Sequence, residues 1–191
     1  MIYIATGCLG FLIIYLFDIV SLKRLPVVKP GTWILGSGLL VYALVMVCLR
    51  SDRLPLPIWS TWLGWALLST SLLLLVYSLF INLPFHSTYI APGVGNKLIK
   101  TGLYALVRHP GIHWFILVLV SLILVSSSSL LLIAAPIFVS LNIVLVTVQD
   151  KLFLGRMFDG YDRYRQETPM LVPNRQSINA FINSLKQQLG A

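Results

Sequence analysis

Arg108, His109 and Pro110 sit at the edge of a long apolar stretch, in the run TGLYALVRHPGI. A second polar run, QDKLFLGRMFDGYDRYRQETPMLVPN, extends from Gln149 to Asn174. A guanidinium beside the free N–H groups of a helix start is chemistry for receiving an anion. Pro110 suits the first helical turn, where its missing N–H costs nothing, which places His109 at the N-cap. In the second run Asp150 can bind a ribose hydroxyl or an amino group. Tyr161 and Tyr164 are three apart and share one face of a helix. With Arg163 and Arg165 flanking the pair, they either clasp a planar base or belong to an interfacial aromatic belt. The plain reading of the first run is that Arg108 snorkels to the interface and His109 only caps. The chemical reading requires the two runs to meet.

The elements that bring them together follow from composition. Of 191 residues 58% are hydrophobic and 10% charged, against roughly a quarter charged in soluble domains. The expected fold is all-α, a polytopic membrane protein forming a single domain over residues 1–191. Crossing about 30 Å of hydrocarbon takes about 20 apolar residues, which predicts five spans, 1–22, 31–49, 57–83, 112–125 and 130–147. The last two form a helical hairpin folded at the serines 126–129, because 112–147 is too long for one crossing. The hairpin returns the chain to its starting side, so pocket segments 97–111 and 148–174 lie at one membrane face. Pro92, Gly93, Gly95 and Gly102 make 86–102 an irregular linker, and Asp159-Gly160 breaks the helix after the fifth span.

Lys and Arg are retained on the cytoplasmic side. With the N-terminus outside, five crossings put Lys23, Arg24, Lys29, Lys97, Lys100, Arg108, Lys151, Arg156, Arg163, Arg165, Arg175 and Lys186 inside, and only Arg50 and Arg53 outside. The C-terminal segment is then cytoplasmic, and in a bacterium the membrane is the inner one. The formal net charge of +8 is accounted for by anionic membrane lipids and calls for no nucleic acid. The first span lacks the basic flank and cleavage site of a signal peptide and reads as retained. Cys8 and Cys48 lie inside apolar helices without metal-ligand spacing and read as core or lipid-facing residues. Asp18, the acid in the first span, reads as snorkelling towards Lys23 and Arg24. The tail 177–191 has Ile178, Phe181, Ile182, Leu185 and Leu189 at helical spacing and predicts an amphipathic helix on the interface or docked beside the pocket.

The run GLYALVRHPGI, then a helical hairpin, then QDKLFLGRMFDGYDRYRQETPMLVP resembles the C-terminal signature of the isoprenylcysteine carboxyl methyltransferase family and its bacterial relatives. These are integral membrane enzymes that use S-adenosylmethionine. The resemblance covers roughly 97–174. It implies a methyltransferase acting on a lipid-like or lipidated substrate, carboxyl methylation included, that enters sideways from the bilayer. It implies that Gly102, Tyr104, Arg108, His109 and Pro110 build the cofactor pocket, with Gln149 and Asp150 at the position of an acidic pair and Tyr161 and Tyr164 closing it. Arg108 and His109 are the residues on which catalysis would depend. Two positions depart from the pattern, Ile112 where the family has Tyr and Gln149 where it has an acid.

The chemistry sets few further demands. The cofactor carries its own leaving group, so the protein has mainly to align the nucleophile and exclude water. Other readings use the same residues. A sterol-type membrane reductase would place NADPH phosphates in the anion site, though its tail motifs carry Trp and Cys that this tail lacks. A haem protein would draw on His86, His109 and His113. A non-catalytic membrane scaffold would explain the two departures.

Overall fold

The computed structural model describes residues 1–91 and 98–189; Pro92, Gly93, Gly95 and Lys97 of the expected linker lie outside the described residues. Helices α1 (Ile2–Leu22), α2 (Val28–Leu49) and α3 (Ile58–Val76) come first, and α3 runs on through a π-helical turn, Tyr77–Ile81. His86–Ile90 forms a second π-helical turn where an irregular linker was expected. Then follow α4 (Leu103–Leu106), α5 (Gly111–Ser126) and α6 (Ser129–Val148), which continues through a third π-helical turn, Gln149–Phe153, into α7 (Leu154–Met157). Helices α8 (Tyr161–Glu167) and α9 (Arg175–Leu189) complete the chain. Among the described residues there is no strand, only an isolated bridge between Arg53 and Ser128.

Four stretches are long and apolar enough to cross a membrane: Ile2–Leu22, Val28–Leu49, Ile58–Ile81 and Ser129–Met157. Five spans were expected, with the fourth, 112–125, the shortest at about 21 Å. Helix α5 has 16 residues, which is about 24 Å at 1.5 Å per residue, so it is an apolar helix shorter than the others. Its ends explain the length. Pro110 precedes its first turn, and Ser127 leaves it in the left-handed region at φ 51°. Ser128 then caps α6, its hydroxyl accepting the Leu131 N–H, so α5 and α6 form the hairpin with two residues between them.

The helices pack by the rules of an apolar solvent. Lipid gives helices no hydrophobic reason to associate, and close backbone approach through small residues takes its place. A Cβ on Gly10 would stand 2.9 Å from the Gly36 carbonyl, so α1 and α2 touch there backbone to backbone. The core lies between α1, α2, α5 and α6, with Phe11, Val47, Phe115, Leu119, Leu131 and Phe138 buried together. Cys8 and Cys48 are unpaired and packed against this core. Leu12, Ile34, Trp62 and Leu73 face outward, as a lipid-facing surface requires.

The two ends of the bundle differ in construction. At the serine end, the loop after α2 docks on the α5–α6 turn: the Leu54 N–H donates to Ser127 O, Ser129 N–H to Asp52 O and the Ser128 hydroxyl to Val47 O. Arg50 and Arg53 lie here, and Arg53 donates to the Ser126 carbonyl. The opposite end carries Arg108, His109, Pro110 and the segment after α6, and it is where the polar chemistry gathers.

Candidate functional site

Gly102 leads the chain into the site. Its φ is 61°, which favours glycine, and its N–H donates to the Ser184 hydroxyl of α9 at 2.9 Å. After the short helix α4, Val107 is extended, and the backbone of the next two residues pairs with the tail: Arg108 N–H with Pro169 O at 3.0 Å and His109 N–H with Met170 O at 3.3 Å. Pro110, not His109, is the N-cap of α5, and no side chain caps that helix. The N–H groups of Arg108 and His109, at the entry to the helix, are therefore already bonded to carbonyls, and those of Ile112 and His113 in its first turn bond back to His109 O and Pro110 O.

The two polar runs converge. Arg108 is 9% exposed and grips the Asp150 carboxylate in bidentate fashion, Nε to Oδ1 at 2.7 Å and Nη2 to Oδ2 at 2.9 Å. Its remaining nitrogen donates to the Arg165 carbonyl at 2.9 Å and to that of Thr168. From its sequence position Arg108 was expected to be an open anion receptor. Here every nitrogen of the guanidinium has a protein partner, so Arg108 is the centre of a clamp joining α5, the π-helical turn after α6, and α8.

Gly160, at φ 75°, turns the chain into α8 and brings the tyrosines inward. Tyr161 and Tyr164 are buried on one face, their rings edge to face at 5.8 Å. The Tyr161 hydroxyl donates to Asp150 Oδ1, and the Tyr164 hydroxyl donates to the Tyr104 carbonyl at 2.6 Å. Tyr104 in turn donates to Ser78 O at 3.1 Å. Burial first, and then the bond to the Asp150 carboxylate, hold the Tyr161 phenol well above its ordinary pKa, so it stays a proton donor. Burial does the same for Tyr104 and Tyr164. The pair therefore packs against itself and locks the clamp, where the sequence left a choice between clasping a base and lying in an interfacial belt.

Gln149 and Asp150 are neighbours in sequence but face different partners. While Asp150 meets Arg108, the Gln149 carboxamide donates to Asp18 Oδ2 of α1 at 2.9 Å. Asp18 is 6% exposed, and among the described residues no Lys or Arg forms an ion pair with it. This corrects the expectation of snorkelling towards Lys23 and Arg24, which stand five and six residues on and so lie off the face of Asp18. A signal was present. Ile4, Gly7, Phe11, Ile14, Asp18 and Ser21 recur at spacings of three and four, and that stripe packs inward.

This end also holds polar atoms that the protein leaves unmatched. Among the described residues the buried side-chain atoms without a hydrogen-bond partner are Ser21 Oγ, Asn82 Nδ2, His109 Nε2 and Trp114 Nε1. His109 Nε2 stands 3.4 Å from Asp150 Oδ1, too far for a good bond. Asn82 adjoins Gly102, and Trp114 lies in the first turn of α5. All four belong to the Arg108 end. Such atoms are rare in folded proteins and call for an explanation.

Two hollows stand out among the described residues. One of about 260 Å³, almost wholly apolar, is lined by Leu103, Leu106, Val107, Pro110, His113, Trp114 and Pro173. The larger, about 580 Å³, is an open depression at the serine end lined by Leu49, Arg50, Ser51, Asp52, Ser129, Leu130 and Ile133. It touches none of the residues expected to build the cofactor pocket. Among the described residues no group of three His, Cys, Asp or Glu side chains is arranged to hold a metal ion.

Helix α9 docks on α4, with the buried Ser184 hydroxyl accepting the Gly102 N–H. Asn174 and Ser177 cap its start reciprocally, each side chain accepting the other's N–H, at 2.8 and 3.0 Å. Phe181 and Leu185 are half-buried and Asn183 and Gln187 exposed, which matches the periodicity, while Ile178 and Ile182 point outward.

A family model described as a protein of unknown function, DUF1295, matches residues 34–168. No curated protein and no solved structure matches the chain. The matched region contains Arg108, Asp150, Tyr161 and Tyr164 and ends at Thr168; α1 and α9 lie outside it.

Proposed function

The chain belongs to the DUF1295 family, and from that premise we propose that it is an S-adenosylmethionine-dependent methyltransferase of the membrane, acting on a lipid-like or lipidated substrate. The observation that carries the proposal is the buried contact between the two polar runs, Arg108 on Asp150, locked by Tyr161. The methyltransferase resemblance requires those runs to meet, and the clamp is where they do. Bound S-adenosylmethionine supplies a methyl group already attached to a good leaving group, so no acid–base pair is demanded of the protein.

In this reading Arg108, Asp150, Tyr161 and Tyr164 form a fixed wall. Arg108 acts as a positioning residue, its charge cancelled by Asp150. The groups left to bind a polar ligand are those without partners, His109 Nε2, Asn82 Nδ2 and Ser21 Oγ. Gly102, Tyr104 and Pro110 hold the backbone that presents them, and Gln149 ties the wall to α1. The apolar hollow between α4 and the start of α5 suits the substrate's tail, which stays in a lipid-like setting while its head group meets the cofactor. The five-span topology, with α5 as the fourth crossing, belongs to the same proposal. So does the orientation that puts the Arg108 end in the cytoplasm. It is supported by the gathering there of most Lys and Arg residues, with Arg50 and Arg53 at the serine end.

The test is ligand stabilisation of the purified protein in detergent. S-adenosylhomocysteine is expected to raise the melting temperature and NADPH to leave it unchanged. Stabilisation by NADPH alone would assign the site to a reductase, and stabilisation by neither ligand would leave a membrane scaffold.

A further inference from the structure

The clamp uses one of two buried carboxylates at this end. Asp150 is matched by Arg108. Asp18, 6% exposed near the end of α1, receives a hydrogen bond from the neutral Gln149 carboxamide, and among the described residues no cation pairs with it. Burying a carboxylate is costly unless a positive charge compensates it, and an amide donor brings none. Ser21 lies one turn on, on the same inward stripe of α1. It is 1% exposed and its hydroxyl has no partner. Two buried polar groups on one helix face are thus incompletely satisfied, beside the residue that precedes Asp150.

We infer that Asp18, held by Gln149 and flanked by Ser21, receives the primary ammonium group of S-adenosylmethionine. An ammonium offers three donors and one positive charge. The Asp18 carboxylate, the Ser21 hydroxyl and the Gln149 carboxamide oxygen are three acceptors, and Asp18 supplies the opposite charge. A sulfonium has no donors and would leave the Ser21 hydroxyl unused. A divalent ion would want more carboxylate or imidazole ligands than this corner holds. Asp18 lies outside the family match at 34–168, so the role is one that α1 of this chain brings to the site. The inference rests on the methyltransferase reading, which would survive its failure.

The experiment compares S-adenosylhomocysteine with 5′-methylthioadenosine, which keeps the nucleoside and sulfur but lacks the amino-acid end. Titrations use the full chain in detergent, as wild type and as Asp18→Asn, which keeps the shape of the side chain and an acceptor for Gln149. Asp18→Asn is expected to weaken S-adenosylhomocysteine on the order of tenfold, the loss of one charge-assisted contact, and to leave methylthioadenosine affinity unchanged. Asp18→Glu, which restores the charge, should recover most of the loss. Equal S-adenosylhomocysteine affinity in wild type and Asp18→Asn overturns the role of Asp18 and leaves the methyltransferase reading intact. Equal weakening of both ligands also overturns it, because the change is then general. No binding of either ligand by the wild type overturns both. Should Asp18→Asn fold poorly, Ser21→Ala provides the second arm, with a smaller loss expected for S-adenosylhomocysteine and none for methylthioadenosine; no change in either overturns the three-acceptor arrangement.

Discussion

Both ends of the bundle place an arginine against a backbone carbonyl, and they put it to opposite use. At the serine end Arg53 is exposed and holds the Ser126 carbonyl. Hydroxyls and backbone groups complete that junction, and no buried side-chain atom there lacks a partner among the described residues. At the other end Arg108 is buried and engages a carboxylate and two carbonyls, and the same end of the bundle holds buried polar atoms that remain unmatched. The first is a finished joint between loops. The second is a rigid wall with open valences beside it, which is how a scaffold presents a site to a ligand.

The sharpest way to break this contrast is to remove the acid. Asp150→Ala leaves a buried guanidinium without its counter-charge and is expected to cost about 3–5 kcal/mol, read as a large fall in the unfolding midpoint in detergent. A loss below about 1 kcal/mol would mean that the pair is no tighter than a surface ion pair. Tyr161→Phe removes one donor from the same carboxylate and keeps the ring; about 1.5–3 kcal/mol should be lost, the usual worth of a bond to a charged group. At the serine end the effects should be smaller. Ser128→Ala deletes both the cap of α6 and the bond to Val47 O, for about 1 kcal/mol. Arg53→Ala, at an exposed position, should stay within about 0.5 kcal/mol, and a larger loss would erase the contrast between the two arginines.

What could be read from sequence tracks how local its cause is. Hydrocarbon thickness imposes a composition on every crossing, so the first three long apolar helices lay within a few residues of their expected places, while the last began where expected and ran on to Met157, past the expected end at 147. The hairpin was announced by its serines, and the turn at Asp159-Gly160 by its glycine. The meeting of Arg108 with Asp150 was legible only as a condition, because the spacing of 42 residues fixes which end each occupies but not which acceptor the guanidinium chooses. Its saturation by the Arg165 and Thr168 carbonyls depends on the path of α8, which no local pattern encodes. Asp18 was misread through its neighbours in sequence. Its own stripe on α1 pointed inward, and reading that stripe through to Ser21 would have found the contact side. Helix α5 came out as expected in place and shorter than its companions, since Pro110 and Ser127 set its ends before the bilayer does.

The π-helical turn at Gln149–Phe153 has a consequence for how this chain can change over time. A widened turn is an extra residue absorbed into an α-helix, and each residue added or removed rotates everything downstream by about 100°. Loss of a single codon within 149–153 would relax that turn to ordinary α geometry and leave a continuous helix of the same hydrophobicity. It would also swing Asp150 away from Arg108 or Gln149 away from Asp18. Substitutions along α6 are therefore cheap to accept as long as they stay apolar, while insertions and deletions before Leu154 are not. The length of this segment should prove more constrained in descendants of the chain than the identity of most residues in it.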